Sequence, residues 1–286
     1  MKTKIGITGA TGQLGQLVVE KLKTKIDATS IVALVRDSQK AASLGVESRL
    51  FDYNKPEILA DALQGIDHLL LISGNEIGQR AAQHKNIVEA AQKAGVKWIV
   101  YTSLLHANTS TLSLAPEHLA TEAAIKQSGI EYTILRNGWY TENYSGSIQG
   151  AVGAGALIGS AGNGKISSAA RADFADAAVE VLTGSGHQGK TYELAGDESF
   201  TLAELASEIS TQTGKAISYN NLPEEEYAKV LGSFGLPEAI AKAVASWDVA
   251  ASKGDLFDDS RQLASLIGHP TTPLSVVVKN VLANSK

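Results

Sequence analysis

The segment Ile5-Gly6-Ile7-Thr8-Gly9-Ala10-Thr11-Gly12-Gln13-Leu14-Gly15 sets glycines at three-residue spacing directly after a short apolar run. An amphipathic helical spacing follows at Leu14, Leu17, Val18 and Leu22. Where a strand turns sharply into a helix, missing β-carbons let a pyrophosphate reach backbone N–H groups and the positive end of the helix dipole. Such a glycine run has meaning only between a strand and a helix, and that context is present here. The residues predict a dinucleotide site.

That site needs a scaffold, and the rest of the first half supplies one. Strand-like runs occur at Lys4–Thr8, Ile31–Val35, Val46–Phe51, His68–Ile72, Trp98–Tyr101 and Tyr132–Leu135. Helical patterns fall between them at Gln13–Leu22, Pro56–Leu63, Arg80–Ala94 and Pro116–Gln127, with Gly95 and Gly129 placed as helix C-caps. This alternation predicts βαβ units and a doubly wound parallel sheet of Rossmann type. Ligands of such sheets bind outside the carboxyl ends of the strands, so the residues just after each strand matter most.

After the second strand comes Arg36, where an acidic residue would suit a free ribose hydroxyl and an arginine suits a 2′-phosphate. NADP is therefore expected over NAD, with Lys40 adding positive charge and Asp37 capping the turn that follows. Asp52, after the third strand, reads equally as an acceptor for an adenine amino group or as a cap. After the fourth strand, Ser73-Gly74-Asn75-Glu76-Ile77 forms a polar loop placed to lie over a cofactor.

Composition sets the bounds. The 286 residues are 44% hydrophobic, enough for one main domain carrying a smaller lobe. No cysteine is present, which excludes thiolate catalysis and cysteine-ligated metals. The six histidines show neither HxxxH nor HExxH spacing, so no metal site is expected, and no GxSxG elbow exists for acyl transfer. A net charge of −5 argues against nucleic acid as a partner. No stretch approaches the roughly 20 apolar residues of a membrane helix. With no signal-like segment at the start, the expectation is a cytoplasmic protein without a membrane partner, monomeric or homodimeric.

Four segments carry a family resemblance: TGATGQLG near the start, YTSLLHA after the fifth strand, LRNGWYTENY after the sixth, and FDDSRQLASLIGHPTT near the end. In these the chain resembles the NmrA-like, atypical short-chain dehydrogenase/reductase group over essentially its whole length. Within that group it is most similar to bacterial type 2 NAD(P)H:quinone oxidoreductases, with triphenylmethane dye reductases as relatives. The resemblance implies a Rossmann NADP-binding domain over 1–150. A smaller α/β substrate lobe over 151–286, interleaved with the sheet, would form a cleft with it. It further implies that Gly9, Ala10, Thr11, Gly12, Gln13 and Leu14 hold the pyrophosphate and Arg36 the 2′-phosphate. Asn75, Glu76 and Ile77 would lie beside the nicotinamide half. Asn137, Gly138, Trp139, Tyr140 and Tyr144 would line the inner cleft, Asn137, Gly138 and Tyr144 on the cofactor and Trp139 and Tyr140 on the substrate. Asn137-Gly138 reads as a turn that brings backbone to a ligand, and Trp139, Tyr140 and Tyr144 offer aromatic faces to a planar acceptor or to core packing.

One residue pair is missing. Short-chain dehydrogenases acting on alcohols carry Tyr-x-x-x-Lys on the helix after the fifth strand, where the Tyr passes a proton to the substrate oxygen. Ser103 matches that group's serine, but His118 and Glu122 stand at the other two positions. His118 is a candidate proton donor, favoured in its charged form by Glu122; alternatively Glu122 pairs with Lys126 in a solvated surface network. A quinone tolerates the missing donor, because hydride addition leaves a stabilised phenolate. Two function classes follow: an NADPH-dependent oxidoreductase passing hydride to a quinone or similar planar electrophile, and an NADP-binding redox sensor of the NmrA type.

Residues 151–286 are less legible. Ala151–Ala170 is rich in small residues, Arg171–Leu182 reads as a helix and Thr191–Leu194 as a strand. Thr201–Gln212 opens with a Thr201/Glu204 capping box, Glu224–Val249 reads as one helix, and Leu274–Leu282 as the last.

Overall fold

The computed structural model describes residues 2–284. Along the chain, β1 (Ile5–Thr8), α1 (Gln13–Lys25), β2 (Ile31–Val35), α2 (Ser38–Ala41), β3 (Glu47–Leu50) and α3 (Pro56–Ala62) come first. They are followed by β4 (His68–Leu71), α4 (Arg80–Ala94), β5 (Trp98–Leu104), α5 (Ala115–Gln127) and β6 (Glu131–Asn137). Next are α6 (Ser145–Ala154), β7 (Ala156–Gly159), α7 (Arg171–Thr183), β8 (Thr191–Leu194), α8 (Leu202–Thr213) and β9 (Ser218–Asn221). Four helices close the chain: α9 (Glu224–Ser233), α10 (Glu238–Ser252), α11 (Gln262–Ile267) and α12 (Leu274–Ala283).

Seven strands form one sheet in the order β3-β2-β1-β4-β5-β6-β8. The pairings of β1 with β2 and β4, β2 with β3, β4 with β5, and β5 with β6 are all parallel. Parallel strands are covered on both faces, so their residues must be apolar without alternation. β2 and β5 are buried at every position, whereas β3, at the sheet's edge, is largely exposed. Leu59, Ile87, Val88 and Ile125 cover one face by packing with Leu34, Leu69, Ile99 and Tyr101. α1 contacts α7, fastened by Lys21 and Asp176 at 2.8 Å. The expected doubly wound parallel sheet is the one found.

Chain contacts divide the protein into two units. The first holds the chain up to Asn108 together with Leu114–Asn137 and Arg171–Glu193. The second holds Thr109–Ser113, Gly138–Ala170 and the chain from Leu194 onward. In the second unit β7 pairs in parallel with β9, and the Thr201/Glu204 capping box begins α8 as its residues predict.

Some expectations need correction. β5 and β6 run beyond Tyr101 and Leu135, because Ser103 and Arg136 find polar partners and stay in the ladder. Asn137-Gly138 is not a turn: Asn137 ends β6, and Gly138 N–H donates to the Leu194 carbonyl at 2.7 Å. The single helix over Glu224–Val249 is two, α9 and α10, because Gly235 adopts φ +91° and Pro237 caps the second helix. β9, reading Ser-Tyr-Asn-Asn, lacks the apolar pattern that would have announced it.

Gly235→Ala should therefore destabilise the chain by about 1–2 kcal/mol, because an L-residue is strained in left-handed backbone. Gly232→Ala, where a β-carbon meets nothing within 4 Å, should stabilise it by about 0.5–1 kcal/mol. Urea-unfolding midpoints of the two variants should move in opposite directions.

Candidate functional site

The glycine turn is built by contact as much as by conformation. Gly9 has φ +58°, and Gly12 N–H donates to the Gly9 carbonyl at 2.8 Å. A β-carbon on Gly15 would come within 2.3 Å of the Gly9 oxygen and 2.7 Å of Ala10 Cα, so α1 packs on the turn only with glycine there. Gln16 Nε2 braces the loop on the Thr11 carbonyl at 2.8 Å. The start of α1 has no side-chain cap and no acidic residue in its first turn, which leaves its dipole and N–H groups to an anion.

That helix start opens on a cavity of about 420 Å³. Its walls come from the carboxyl ends of four strands: Gly9 and Thr11–Gly15 after β1, Arg36 and Lys40 after β2, Asp52 and Tyr53 after β3, and Ile72–Glu76 after β4. In the sheet order the chain reverses its direction of travel between β1 and β4, the place where open parallel sheets bind ligands. Arg36 is two-thirds exposed, with Nη1 3.6 Å from Glu76 Oε1. Asp37 caps α2 as expected, accepting from Gln39 N–H at 2.9 Å. Asp52 accepts from Asn54 N–H at 3.0 Å, a local turn, and also lines the cavity. Ala10 is buried, and Ile77, 45% exposed, is not part of this wall.

The loop after β4 is held by residues whose roles are invisible in sequence. Ser73 N–H donates to Thr102 Oγ1 at 2.9 Å, and Arg80 Nε donates to the Gly74 carbonyl at 2.9 Å. Gly74 N–H donates to His84 Nε2 at 3.0 Å, so the ring proton sits on Nδ1, 3.0 Å from Thr121 Oγ1. Burial and the nearby Arg80 hold the His84 imidazole down to about 3, which keeps it neutral for this task. Gln83 Nε2 donates to Glu76 Oε2 and Asn54 Oδ1, both at 2.9 Å. Its Oε1 is buried with no partner among the described residues, and Gln83 lines the cavity. An acceptor so placed suits a ligand amine. The Tyr53 hydroxyl, 2.6 Å from Thr8 Oγ1 and 2.9 Å from the Ile72 carbonyl, ties β1, β3 and β4 together. An alternating Arg80/His84 helix face reads in sequence like any solvated face; only the partner helix α5 reveals otherwise.

A dinucleotide fits this donor set: glycine backbone and a helix start for a pyrophosphate, two cations for a further phosphate, and a buried acceptor for an amine.

Ser103 and Glu122 are hydrogen-bonded to each other, and His118 pairs with Tyr101. Glu122 is 2% exposed, so the solvated-surface reading is corrected, although Lys126 does lie 3.6 Å away. Arg136 donates to both Glu122 oxygens at 2.9 Å, and Ser103 Oγ donates to Oε1 at 2.7 Å. Burial pushes the Glu122 carboxyl up, yet Arg136 and Ser103 outweigh it and hold it below its ordinary value. Arg136 also reaches Glu193 at 2.8 Å. His118 Nδ1 lies 2.8 Å from the Tyr101 hydroxyl, and burial, with Arg80, brings its imidazole to about 3. Glu122 therefore does not charge His118; the ring is neutral at ordinary pH.

The remaining residues lie in the second unit, except Asn137. The Trp139 ring stands edge-on to Trp247, centroids 5.7 Å apart, and Trp247 Nε1 donates to Ser113 Oγ at 3.1 Å. Tyr140 bridges to Ala169, and Tyr144 is buried against Phe200. Trp247 was not singled out from sequence, where an aromatic on an apolar helix signals only packing. Among the described residues no group of acids and histidines could hold a metal ion, and no helix is long and apolar enough to cross a membrane.

The NAD(P)H-binding family matches residues 9–185. The chain is 54% identical to quinone oxidoreductase 2 of Escherichia coli (strain K12), over 97% of this chain and 98% of that one. It is 30% identical to an NmrA-like family domain-containing oxidoreductase of Aspergillus flavus, covering 98% of this chain and 95% of the other. Among solved structures, an NADPH-dependent quinone oxidoreductase from Escherichia coli complexed with NADPH superposes with a TM-score of 0.95, covering 97% of this chain and 99% of that one at 54% identity. The Citrobacter sp. triphenylmethane reductase complexed with NADP(H) gives 0.94 at 42% identity, covering 97% and 100%. The chain belongs to the NmrA-like NAD(P)H-binding family.

The buried neutral histidines have a stability consequence. Their folded pKa values near 3 lie below the ordinary 6.5, so the unfolded chain binds more protons between those limits. Stability should fall as pH drops from about 6.5 toward 3, by up to about 1.4 kcal/mol per pH unit for each ring. His118→Gln should make that fall shallower, as measured by urea midpoints across the window.

Proposed function

We propose that this protein is an NADPH-dependent oxidoreductase whose electron acceptors are quinones. The observation that carries the cofactor is the cavity at the reversal of the sheet, with the bare start of α1 on one wall and Arg36 and Lys40 on another. Backbone N–H groups from Gly12 to Leu14 hold the pyrophosphate, while Gly9, Ala10 and Thr11 shape the turn. Arg36, with its planar fork, takes the 2′-phosphate. Asn75 and Glu76 line the cofactor's path on the loop that His84 and Gln83 hold, with Ile77 at its end. When bound, NADPH supplies a hydride.

The acceptor class follows from what α5 does not offer. Reduction of a simple ketone needs a proton at the nascent alkoxide, and general acid catalysis contributes roughly 100- to 10,000-fold. Glu122 is tied to both Ser103 and Arg136, while His118 is neutral and bonded to Tyr101. A quinone oxygen becomes a phenolate, a weak enough base to leave the site without a side-chain donor. Trp139, fixed by Trp247, and Tyr140 offer aromatic faces to such a planar acceptor, and Asn137 and Gly138 carry the chain into that segment. Tyr144, a few residues on, is buried against Phe200.

Three outcomes test this. NADPH should be oxidised with small quinones and not with simple ketones, followed by loss of reduced-nicotinamide absorbance; equal rates on both would overturn it. Arg36→Ala should weaken NADPH binding about tenfold while NADH affinity stays put, the modest size reflecting a solvent-exposed guanidinium. His118→Gln should keep quinone turnover within about tenfold and leave its pH profile unchanged near neutrality.

A further inference from the structure

The cavity proposed for NADPH is not uniformly basic. Its charged side chains are two cations, Arg36 and Lys40, and two carboxylates, Asp52 and Glu76. NADPH carries a pyrophosphate and a 2′-phosphate, so a carboxylate in that wall opposes binding unless it faces elsewhere. Asp52 serves its own loop, accepting from Asn54 N–H at 3.0 Å. Glu76 faces the cation expected to hold the 2′-phosphate.

Glu76 is anchored through one oxygen and aimed with the other. Gln83 Nε2 donates to its Oε2 at 2.9 Å, and Asn54 Nδ2 donates to the same atom at 3.3 Å. Gln83 is 4% exposed and also donates to Asn54 Oδ1 at 2.9 Å, so the two amides make a fixed seat. Two residues earlier, Arg80 and His84 hold Gly74 by its carbonyl and its N–H. Oε1 is left 3.6 Å from Arg36 Nη1.

Topology gives this ion pair its importance. Arg36 follows β2 and Glu76 lies on the loop after β4, and those strands are the two neighbours of β1. β1 ends in the glycine turn, so the pair joins the two sides of the anion site. Both side chains are partly exposed, 67% for Arg36 and 40% for Glu76. A pair so exposed shifts an equilibrium by no more than about fivefold, so Arg36 can exchange its partner. A phosphate in bidentate contact claims two N–H groups of the guanidinium fork. With Glu76 held in its seat, that contact sets two anions side by side on one cation.

We propose that Glu76 is a specificity-determining residue, which competes with the 2′-phosphate of NADPH for Arg36 and so holds down the preference for NADPH over NADH. NADH brings a hydroxyl to the same place, and a carboxylate accepts from a hydroxyl. Arg36 and Glu76 form one selector, the first favouring the phosphate and the second opposing it. The inference rests on the assignment of the 2′-phosphate to Arg36 and adds the residue that sets its strength.

The test is calorimetric titration of the full-length protein with NADPH, NADH and adenosine 2′,5′-bisphosphate, the last of which isolates the adenosine end. Glu76→Gln removes the charge and keeps a carbonyl oxygen for Gln83; thermal melting checks its fold. In this variant NADPH and the bisphosphate should bind about three- to tenfold more tightly, because a phosphate carries up to about two charges, and NADH should not gain. At about 0.5 M salt, where screening acts within roughly 4 Å, the gain should shrink to less than about twofold. It should shrink likewise when Glu76→Gln is added to Arg36→Ala. Unchanged or weaker NADPH binding in Glu76→Gln would overturn the inference, as would equal tightening of NADH or a gain that persists in full without Arg36. No gain in Glu76→Gln together with lost NADPH affinity in Arg36→Ala would leave the phosphate assignment standing and overturn this inference alone. NADPH affinity unchanged by Arg36→Ala would overturn both.

Discussion

The first unit depends on one close approach: the backbone of Gly15 against the Gly9 carbonyl. A single β-carbon at 2.3 Å would force α1 away from the turn. With it would go the N–H groups and the dipole that face the cavity. The same contact sets where α1 begins, and α1 in turn packs α7 through Lys21 and Asp176. Sheet, helix and anion site are thus fixed together by the absence of one methyl group. The strictness of the glycine pattern has this steric origin.

Around that point the protein places its polar groups in two different ways. Near the cavity, His84 and Tyr53 fix the backbone after β4 through Gly74 N–H and the Ile72 carbonyl, and Gln83 holds the Glu76 side chain. Farther along the sheet, Ser103, Glu122, Arg136 and Glu193 form a connected polar chain. Its members satisfy one another, which is the condition for charges to be buried without a large penalty. At the positions where alcohol dehydrogenases of this broad fold keep a catalytic pair, His118 pairs with Tyr101 and Glu122 with Arg136.

The second unit follows different physics. Its α6 is rich in glycine and α10 in alanine, and two of its tyrosines, Tyr144 and Tyr227, are buried near Asp248, whose carboxyl is raised to about 6 by burial. Such a carboxylate is held by one backbone N–H and by its surroundings rather than by a cation.

By itself the sequence determined the Rossmann architecture, because buried parallel strands must be apolar throughout and a dinucleotide turn must be glycine. The capping box at Thr201, the cap at Asp37 and the position of Arg36 were equally legible, since each is local and decided within a few residues. The pairing of β7 with β9 and the extension of β6 through Asn137 were not, for their partners lie far away in the chain, whereas the break between α9 and α10 is local and set by Gly235 and Pro237. His118 and Glu122 show the limit most plainly. One helical turn apart, they look like a solvated pair. Only the tertiary structure, by bringing Arg136 to Glu122 and Tyr101 to His118, decided that one is a buried anion and the other a neutral ring. Ionisation depends on burial and on distant charges, and spacing along a helix records neither.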